Sequence, residues 1–594
     1  MCGIAGLMTL AGRRPDGAVL DRLAAALLHR GPDGQGRYVE ADVGLAHTRL
    51  AIIDLKTGDQ PLYAEGKAGG RLALVANGEI YNYVELNAAL RDFAPATASD
   101  CEPILHLYRR EGIGFARRLR GMYALALHDP ASGRLILARD PFGIKPLYYA
   151  ESEAGLAFAS EPQALIRAGL VAAAIRPPAR DELLQLQFTT GAETVFRGIR
   201  RVLPGETLVV ERGVVVARHR IEALPEGGPR HRSVDEALYA LDEVLMDSVS
   251  IHQRSDVPYG MFLSGGVDST VLLAMMKRLN DRPVQAFTAG FPGTDAADER
   301  AQARAAALAV GAEHHEIEVG AEDFWNLLPA IAAVMDDPAA DYAILPTYML
   351  ARTVRQAGLK VVLTGEGGDE LFAGYGRYRQ AVRPRLLGGR PMRRKGAFSG
   401  LGVLRESATP MGWRDGIVAA ETAATRPGRT GLQVNQGIDC ADWLPHDLLL
   451  KLDRCLMAFG VEGRVPFLDP AVADVAFLLP DRLKLRHGFG KWLLRRWLET
   501  GLPVARPFAR KQGFTVPVGQ WIASRRAQLG PLVAAQAGIR EACRPGAVER
   551  LFDGFGHKHE QAAWRLLFYA VWHRVHLEGM SPEGDVFDFL ARRS

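Results

Sequence analysis

Short apolar segments alternate with helical ones between residues 257 and 364, and this alternation constrains the fold more than any other feature of the sequence. The strand-like segments are 257–263, 284–291, 315–319 and 360–364, and the helical segments are 270–279, 298–310 and 323–335. Such alternation predicts a parallel sheet covered by helices, because parallel strands need a crossover long enough to hold a helix. Beyond residue 375 mainly helices are expected.

The residues before this region follow a different pattern. Turn signals separate short apolar segments at 44–47, 71–76, 122–127, 134–138 and 156–160, which predicts antiparallel strands. Two helical stretches, 21–29 and 83–90, interrupt them, so we expect a layered α+β domain. The segment 224–233 is rich in proline, glycine and charge, as linkers are. We therefore predict two domains, 1–222 and 223–594.

Composition excludes several classes of protein. Hydrophobic residues make up 48% of the 594 residues and charged residues 24%, which is typical of folded globular chains. The formal net charge of +4 gives no general electrostatic case for binding nucleic acid. No apolar run approaches the ~18 residues of a membrane span. The five cysteines form no CxxC pair, so we expect a reducing compartment, the cytoplasm, without structural zinc.

Cys2 is the first residue with a chemical role to consider. If Met1 is removed, Cys2 becomes the amino terminus, and its own α-amine, which titrates near pH ~8, can take the thiol proton. Nucleophile and base would then be one residue. Met-Cys-Gly alone is weak support for this role, since an ordinary buried cysteine near a strand start explains it too.

Four further motifs strengthen the hypothesis. They are His29-Arg-Gly-Pro-Asp-Gly, Arg49-Leu-Ala-Ile-Ile-Asp, Asn77-Gly-Glu-Ile-Tyr-Asn and Ser99-Asp-Cys-Glu, in that order. With Cys2 they resemble the class II glutamine amidotransferases, which implies an N-terminal nucleophile-type fold with two sheets between helices (αββα).

That resemblance assigns a role to each residue of the first site. A thiolate that attacks the amide of glutamine needs an oxyanion site, which the Asn77 side chain and the Gly78 backbone N–H are expected to supply. Asp100 and Arg49 carry the charges that match the α-amino and α-carboxylate groups of glutamine, and Glu79 is expected in the same pocket.

A second site is predicted where the strand 257–263 ends and a helix follows. The string Leu263-Ser-Gly-Gly-Val-Asp-Ser brings glycine amides, hydroxyls and a helix N-terminus to one place, as anion sites in open α/β sheets do. It resembles the pyrophosphate loop of the ATP pyrophosphatase family, which cuts ATP between the α and β phosphates. The resemblance implies that ATP binds to Leu263, Ser264, Gly265, Gly266, Asp268 and Ser269.

A third string, Thr364-Gly-Glu-Gly-Gly-Asp, also follows a predicted strand and is expected to face the same crevice. Thr364 and Gly365 join the ATP site in this prediction, and Asp369 joins Asp268 as a Mg²⁺ ligand. Glu366 is a candidate base for the attacking ammonia. Lys491 is a candidate for neutralising charge that develops between the phosphates.

The resemblance covers nearly the whole chain, and its best fit is the family of glutamine-hydrolysing asparagine synthetases of the bacterial B type. It implies that aspartate becomes β-aspartyl-AMP and that ammonia from glutamine, carried by an internal passage, then displaces AMP. Segments 122–127 and 143–147 are candidates for lining that passage. The expected partners are glutamine, aspartate and ATP, without nucleic acid or membrane, and a homodimer is a further expectation. Two alternatives stay open: amidation of another carboxylate in a peptide, polysaccharide or antibiotic pathway, and a non-catalytic relative that only binds glutamine or nucleotide.

Overall fold

The computed structural model describes residues 2–10, 12–67, 69–90, 93–294, 299–383, 386, 389, 391–405, 411–509, 516–554 and 556–593. Its first strands are β1 (Gly3–Thr9), β2 (Gly34–Glu40), β3 (Val43–Arg49), β4 (Leu62–Glu65), β5 (Arg71–Ile80), β6 (Gly121–Asp129), β7 (Arg134–Arg139), β8 (Tyr148–Ser152), β9 (Gly155–Ala159), β10 (Arg200–Arg201), β11 (Glu206–Glu211) and β12 (Val214–Arg220). The helices among them are α1 (Gly17–Ala26), α2 (Tyr83–Ala89), α3 (Pro103–Glu111), α4 (Pro162–Arg167) and α5 (Pro177–Leu186), with 3₁₀ turns at Leu28–Arg30 and Gly112–Arg118.

These strands form two antiparallel sheets that pack face to face. Within the described residues the strand orders are β10-β8-β9-β1-β3-β2 and β12-β11-β7-β6-β5-β4. Alternation along each strand decides which side chains lie between the sheets: Ile4 and Val75 do, whereas Ala5 and Leu74 lie on the outer, helix-covered faces. The predicted α+β sandwich with helices outside both sheets is therefore confirmed.

The second part contains β13 (Tyr259–Phe262), β14 (Gln285–Gly290), β15 (Glu313–Glu318), β16 (Val361–Leu363) and β17 (Glu462–Arg464). Its helices are α6 (Val234–His252), α7 (Val267–Leu279), α8 (Arg300–Val310), α9 (Ala321–Val334), α10 (Ile344–Gln356), α11 (Gly368–Leu371), α12 (Gly376–Ala381), α13 (Asp415–Ala424), α14 (Gly431–Ile438), α15 (Leu449–Met457), α16 (Pro470–Phe477), α17 (Asp481–Lys484), α18 (Trp492–Gly501), α19 (Val518–Ser524), α20 (Arg526–Ala534), α21 (Ala537–Ala542), α22 (Ala547–Asp553), α23 (His557–His576) and α24 (Val586–Ala591). A π-helical segment, Asp439–Leu448, leads into α15, and 3₁₀ turns lie at Gly412–Arg414, Pro466–Leu468 and Pro503–Ala505.

All strand pairs that the described residues form in this third sheet are parallel, in the order β15-β14-β13-β16-β17. The predicted parallel sheet is confirmed. Because β13 and β16 are neighbours and point the same way, the loops that follow them lie side by side at one sheet edge. The strand order therefore brings the Ser264 loop and the Thr364 loop together.

Two local predictions differ from the structure. Helix α7 begins at Val267, three residues before the predicted start, because Gly266 takes an extended conformation and acts as its N-cap. Helix α3 was not predicted; it begins at Pro103, and proline suits a first helical position because its missing N–H would have no partner there. The predicted helix start at residue 298 lies outside the described residues. No helix in the described part of the chain has the length and apolar character needed to cross a membrane.

Candidate active sites

Cys2 is buried and lies immediately before β1. The Cys2 backbone nitrogen donates to Asn77 Oδ1 at 3.0 Å, which fixes the orientation of the Asn77 amide. Asn77 Nδ2 is buried and has no hydrogen-bond partner among the residues that the structure describes. A buried amide donor without a partner costs free energy unless a ligand accepts its hydrogen bond. Asn77 therefore has a free amide donor beside Cys2, as the predicted oxyanion site requires. Burial raises the pKa of the Cys2 thiol.

Gly78 and Glu79 follow Asn77 on β5. A Cβ on Gly78 would lie 2.1 Å from the carbonyl oxygen of Met122 on β6, so only glycine allows the two strands to pair here. The Glu79 carboxylate lies 3.2 Å from Arg464, which belongs to β17 of the parallel sheet. Burial and the nearby Glu462 carboxylate hold the pKa of Glu79 well above its usual range. Arg464 of the second domain thus contacts a residue of the predicted glutamine site.

Asp100 and Arg49 complete the predicted glutamine site. Asp100 accepts the Ile80 N–H at 2.7 Å, and burial raises its pKa to about 6. Arg49 ends β3, is 9% exposed and contacts the carboxylate of Asp59 at 2.7 Å. Asp59 itself is 80% exposed, so a glutamine carboxylate can replace it at little cost.

In the second domain the Ser264 loop is closed by its own hydroxyl groups. Ser264 Oγ lies 3.1 Å from Ser269 Oγ and accepts the Gly266 N–H at 3.2 Å. Gly265 has a φ of +72°, a conformation that side chains rarely adopt. The loop exposes the N-terminus of α7, whose positive end favours anions.

The Thr364 loop packs directly on this helix end. A Cβ on Gly368 would lie 2.5 Å from Asp268 Cγ, and one on Gly365 would lie 3.0 Å from Asp268 Cβ. These glycines therefore allow Asp268 and Asp369 to approach each other. The ammonium of Lys491 contacts both carboxylates, with a distance of 2.6 Å to Asp369. Although burial opposes the charge, the two aspartates raise the pKa of Lys491 to about 12.

A cavity of about 250 Å³ opens beside the two loops. One part of its wall is apolar, with Phe287, Ala289 and Leu350, which suits a flat base. The predicted residues that line it are Leu263, Ser264, Gly266, Asp268, Ser269, Thr364, Gly365, Glu366, Asp369 and Lys491, and Gly265 lines an adjoining pocket. Burial raises the pKa of Glu366, with Lys451 acting in the opposite direction. The structure thus brings the three predicted synthetase motifs to one cavity.

Comparison with known proteins agrees with this geometry. Residues 240–574 match the family described as asparagine synthase, and residues 1–220 match the family described as glutamine amidotransferase domain. The chain belongs to the asparagine synthase family. An asparagine synthetase of the glutamine-hydrolysing type from Bacillus subtilis (strain 168) is 30% identical over 97% of this chain and 97% of its own length. Asparagine synthetase B from Escherichia coli (strain K12) is 30% identical over 88% and 83%, respectively. A protein of Mycobacterium tuberculosis (strain ATCC 25618 / H37Rv) is 35% identical over 97% and 98%.

In this member of the asparagine synthase family a buried ion network joins the two domains. Arg30, from the His29 motif, donates its Nε to the carbonyl of Cys2 at 3.2 Å and holds Asp453 of α15 at 2.8 and 2.9 Å. Arg30 also lies 2.7 Å from Glu161, and Arg454 lies 2.6 Å from Asp336. Cys2, the predicted nucleophile, is thus linked through one guanidinium group to a helix of the synthetase domain.

The segment 143–147 faces this network, whereas the segment 122–127 mostly does not. Lys145 is 1% exposed, burial lowers its pKa, and Glu462 and Asp453 are the acidic groups that act on it most strongly. Residues 123, 125 and 127 pack under the helices, and residues 124 and 126 pack between the sheets. Residues 123–127 therefore pack within their own domain, because a strand of a sandwich buries both faces there, and their place along a passage stays a prediction.

Several residues of this asparagine synthase-family site were missed by reasoning from the sequence. Lys451 lines the synthetase cavity and Asp341 contacts it, and Glu462 and Arg464 reach the glutaminase pocket. A usable signal was present, since the string from Leu452 to Asp469 places opposite charges among apolar residues, as buried ion pairs require. The partners themselves are far apart in the chain and no spacing rule joins them.

Proposed function

We propose that this protein makes asparagine from aspartate, taking nitrogen from glutamine and driving the reaction by converting ATP to AMP and pyrophosphate. The observation that carries the proposal is the presence of two sites in one chain: the buried Cys2 beside Asn77, whose Nδ2 has no hydrogen-bond partner among the described residues, and a cavity of about 250 Å³ beside the Ser264 loop. Membership of the asparagine synthase family supports the same conclusion.

In the first site Cys2 acts as nucleophile once Met1 is removed. The freed α-amine takes the thiol proton, and the thiolate attacks the amide carbon of glutamine. Asn77 Nδ2 and the Gly78 N–H stabilise the oxyanion that forms. Ammonia leaves, and water then hydrolyses the thioester to glutamate. Arg49 and Asp100 hold the α-carboxylate and α-amino groups of glutamine during both steps.

In the second site the β-carboxylate of aspartate attacks the α-phosphorus of ATP. The bond to the β-phosphate oxygen breaks, pyrophosphate leaves, and β-aspartyl-AMP is formed. The Ser264 loop and the end of α7 hold the phosphates, and Lys491 neutralises the charge that develops on the leaving group. Ammonia then attacks the acyl carbon and gives its proton to Glu366 as AMP departs.

Asp268 and Asp369 fit the Mg²⁺ ion that this chemistry implies. Their carboxylate oxygens converge on a single point, the ammonium of Lys491, and hard oxygen donors are what Mg²⁺ prefers. Mg²⁺ is usually held by one or two carboxylates together with substrate phosphates, which matches two aspartates beside a phosphate loop. When bound, the ion would offset phosphate charge.

An internal route for ammonia has a physical motive, because ammonia released into water at neutral pH is mostly protonated and no longer nucleophilic. The buried strip with Lys145, Glu462 and Arg464 lies between the glutaminase pocket and α15, and is the proposed route. We further propose that the enzyme works in the cytoplasm as a homodimer, for which sedimentation velocity is the test.

The direct test is an assay of the purified protein with glutamine, aspartate, ATP and MgCl₂. Asparagine, glutamate, AMP and pyrophosphate are expected in equal amounts. Cys2→Ala, or a retained Met1 or N-terminal tag, is expected to abolish glutamine use while ammonia-dependent synthesis continues. ADP and phosphate as products would overturn the proposal for the second site, and wild-type glutamate release by Cys2→Ala would overturn the proposal for the first.

A different acceptor is the main alternative. A protein named amidase chry2, from Gibberella zeae, is 32% identical over 64% of this chain and 60% of its own length. The name of this relative does not refer to asparagine. An acceptor screen that finds rapid amidation of another carboxylate and none of aspartate would favour this alternative. Absence of turnover with every acceptor would favour a non-catalytic binding protein.

A further inference from the structure

The synthetase cavity contains a second lysine whose partners differ from those of Lys491. Lys491 contacts Asp268 and Asp369 beside the phosphate loop. Lys451 instead lies 3.3 Å from Asp341, and the other carboxylates that act on it most strongly are Glu366 and Asp447. The cavity wall therefore carries two lysines with different acidic partners, and the phosphate loop accounts for only one of them.

The Lys451–Asp341 pair is largely shielded from water, and a backbone hydrogen bond orients its aspartate. Asp341 Oδ1 accepts the Ala343 N–H at 2.8 Å just before α10, which leaves Oδ2 directed at Lys451. Lys451 belongs to α15, which packs on α10. The side chains are 6% and 13% exposed, respectively. A separation of 3.3 Å is longer than the about 2.7–2.9 Å of a tight charge-assisted hydrogen bond, so the pair has little to lose when each group takes a new partner.

We propose that Lys451 and Asp341 bind the head group of a free α-amino acid acceptor, Lys451 its α-carboxylate and Asp341 its α-ammonium group. This inference rests on the proposed function and names the class of acceptor. The amino nitrogen and the carboxylate carbon of an amino acid are about 2.5 Å apart, so one zwitterion can reach both members of a pair at this spacing. Binding replaces one ion pair by two and leaves no buried charge without a partner.

The position of Glu366 indicates how an acceptor bound to Lys451 and Asp341 would be oriented in the cavity. Glu366 and Lys451 line the same cavity, and Glu366 is the proposed base for amide formation. An acceptor anchored at Lys451 and Asp341 would extend its side-chain carboxylate past Glu366 towards the phosphates. Acceptors that lack the head group, such as a side chain within a peptide or a sugar acid, would leave both charges unused, and the site would discriminate against them.

Acceptor analogues that each lack one charged group provide the test. Succinate lacks the α-ammonium group of aspartate, and β-alanine lacks its α-carboxylate. The rate of AMP formation is measured with saturating ATP, MgCl₂ and ammonium chloride, for the wild type, Asp341→Asn and Lys451→Gln. Asp341→Asn is expected to lower kcat/KM for aspartate about 100-fold and to leave succinate unchanged, because one charged hydrogen bond is lost. Lys451→Gln is expected to remove the preference for aspartate over β-alanine in the same way.

The control is Glu316→Gln, which removes one carboxylate from a partly exposed ion pair with Arg304, 2.7 Å long and outside the cavity. Both selectivity ratios should stay at wild-type values in this variant. Asp341→Glu and Lys451→Arg keep the charges and should retain most of the selectivity, which separates recognition from misfolding. Glutamine hydrolysis should be unchanged in all variants.

The competing explanation is that the Lys451–Asp341 pair only stabilises the packing of α15 against α10. It predicts that each variant lowers kcat/KM for aspartate, succinate and β-alanine by the same factor, and that result would overturn the inference. Efficient AMP formation by the wild type with a carboxylate that lacks the head group would also overturn it, while leaving the two-step chemistry intact. A wild type that forms no AMP with any acceptor would instead refute the proposed function itself.

Discussion

Asp453→Asn is expected to weaken the contact between the two domains, because Asp453 is the buried carboxylate on which two arginines converge. It accepts two hydrogen bonds from Arg30, at 2.8 and 2.9 Å, and one from Arg454, at 2.8 Å. Asparagine has nearly the same shape, and its one carbonyl oxygen can accept at most two of these three bonds, namely those made to Oδ2. The variant therefore removes charge with little change in packing.

The size of the effect follows from the contacts that remain. Removing one partner of a buried ion pair costs about 3–5 kcal/mol. Arg30 keeps Glu161 at 2.7 Å and Arg454 keeps Asp336 at 2.6 Å, so we expect the lower end, about 3 kcal/mol. If the urea dependence is about 3 kcal/mol per molar, the unfolding midpoint moves down by about 1 M.

Tryptophan fluorescence and circular dichroism together test whether both halves of the chain lose stability. The first of the eight tryptophans is Trp325, so fluorescence reports the synthetase half, whereas far-UV circular dichroism reports the whole chain. Both signals are followed in urea, because a chain of two domains need not unfold in one step. In the wild type they should nearly coincide, and Asp453→Asn should shift both.

The matched control is Asp21→Asn. Asp21 also bonds an arginine, Arg37 at 2.9 Å, but the two side chains are 68% and 44% exposed. Exposed pairs contribute about 0–1 kcal/mol, so its midpoint should move little. A shift in Asp453→Asn no larger than that in Asp21→Asn would refute the assignment of the network as a stabilising link.

Three further predictions concern the two sites. Glu366→Gln should lower asparagine formation by about 10²–10⁴ while exchange of labelled pyrophosphate into ATP continues with aspartate present, and equal loss in both assays would argue against a base. Asp268→Asn and Asp369→Asn should each weaken use of MgATP and spare glutamine hydrolysis; impaired glutaminase activity in either would contradict the separation of sites. Since Asp100 has a raised pKa of about 6 and must be ionised to hold an ammonium group, kcat/KM for glutamine should fall as pH drops below about 6, and a flat profile between pH 5 and 7 would remove Asp100 from binding.

The fold was predictable where local periodicity and burial agree. The apolar segments around Val75 and Met261 are strands, the first in an antiparallel sheet and the second in the parallel sheet, as predicted. The loops at Ser264 and Thr364 follow strands that pair in parallel. The start of α7 was misplaced because Gly266 was assigned to a loop, although glycine is also a good N-cap. Periodicity cannot distinguish these two uses of glycine.

The site was predictable only within each motif. The string at Asn77 gives the oxyanion donor, but nothing near it in sequence indicates that Arg464 lies 3.2 Å from Glu79. Likewise Lys451 and Asp341 are separated by a strand and several helices. Contacts of this kind depend on how α10, α15 and β17 pack, and side-chain pairing between distant elements is a property of the folded chain.

The edge position of β17 has a consequence for recombining the halves of this protein. The linker at 224–233 is a convenient place to cut or to join a foreign module, since β12 ends at Arg220 and α6 begins at Val234. A chimera made there would nevertheless carry Glu79 without Arg464, and Arg30 without Asp453. Exchange of one half between relatives therefore requires that β17 and α15 be transplanted together with the glutaminase half whose charges they complement.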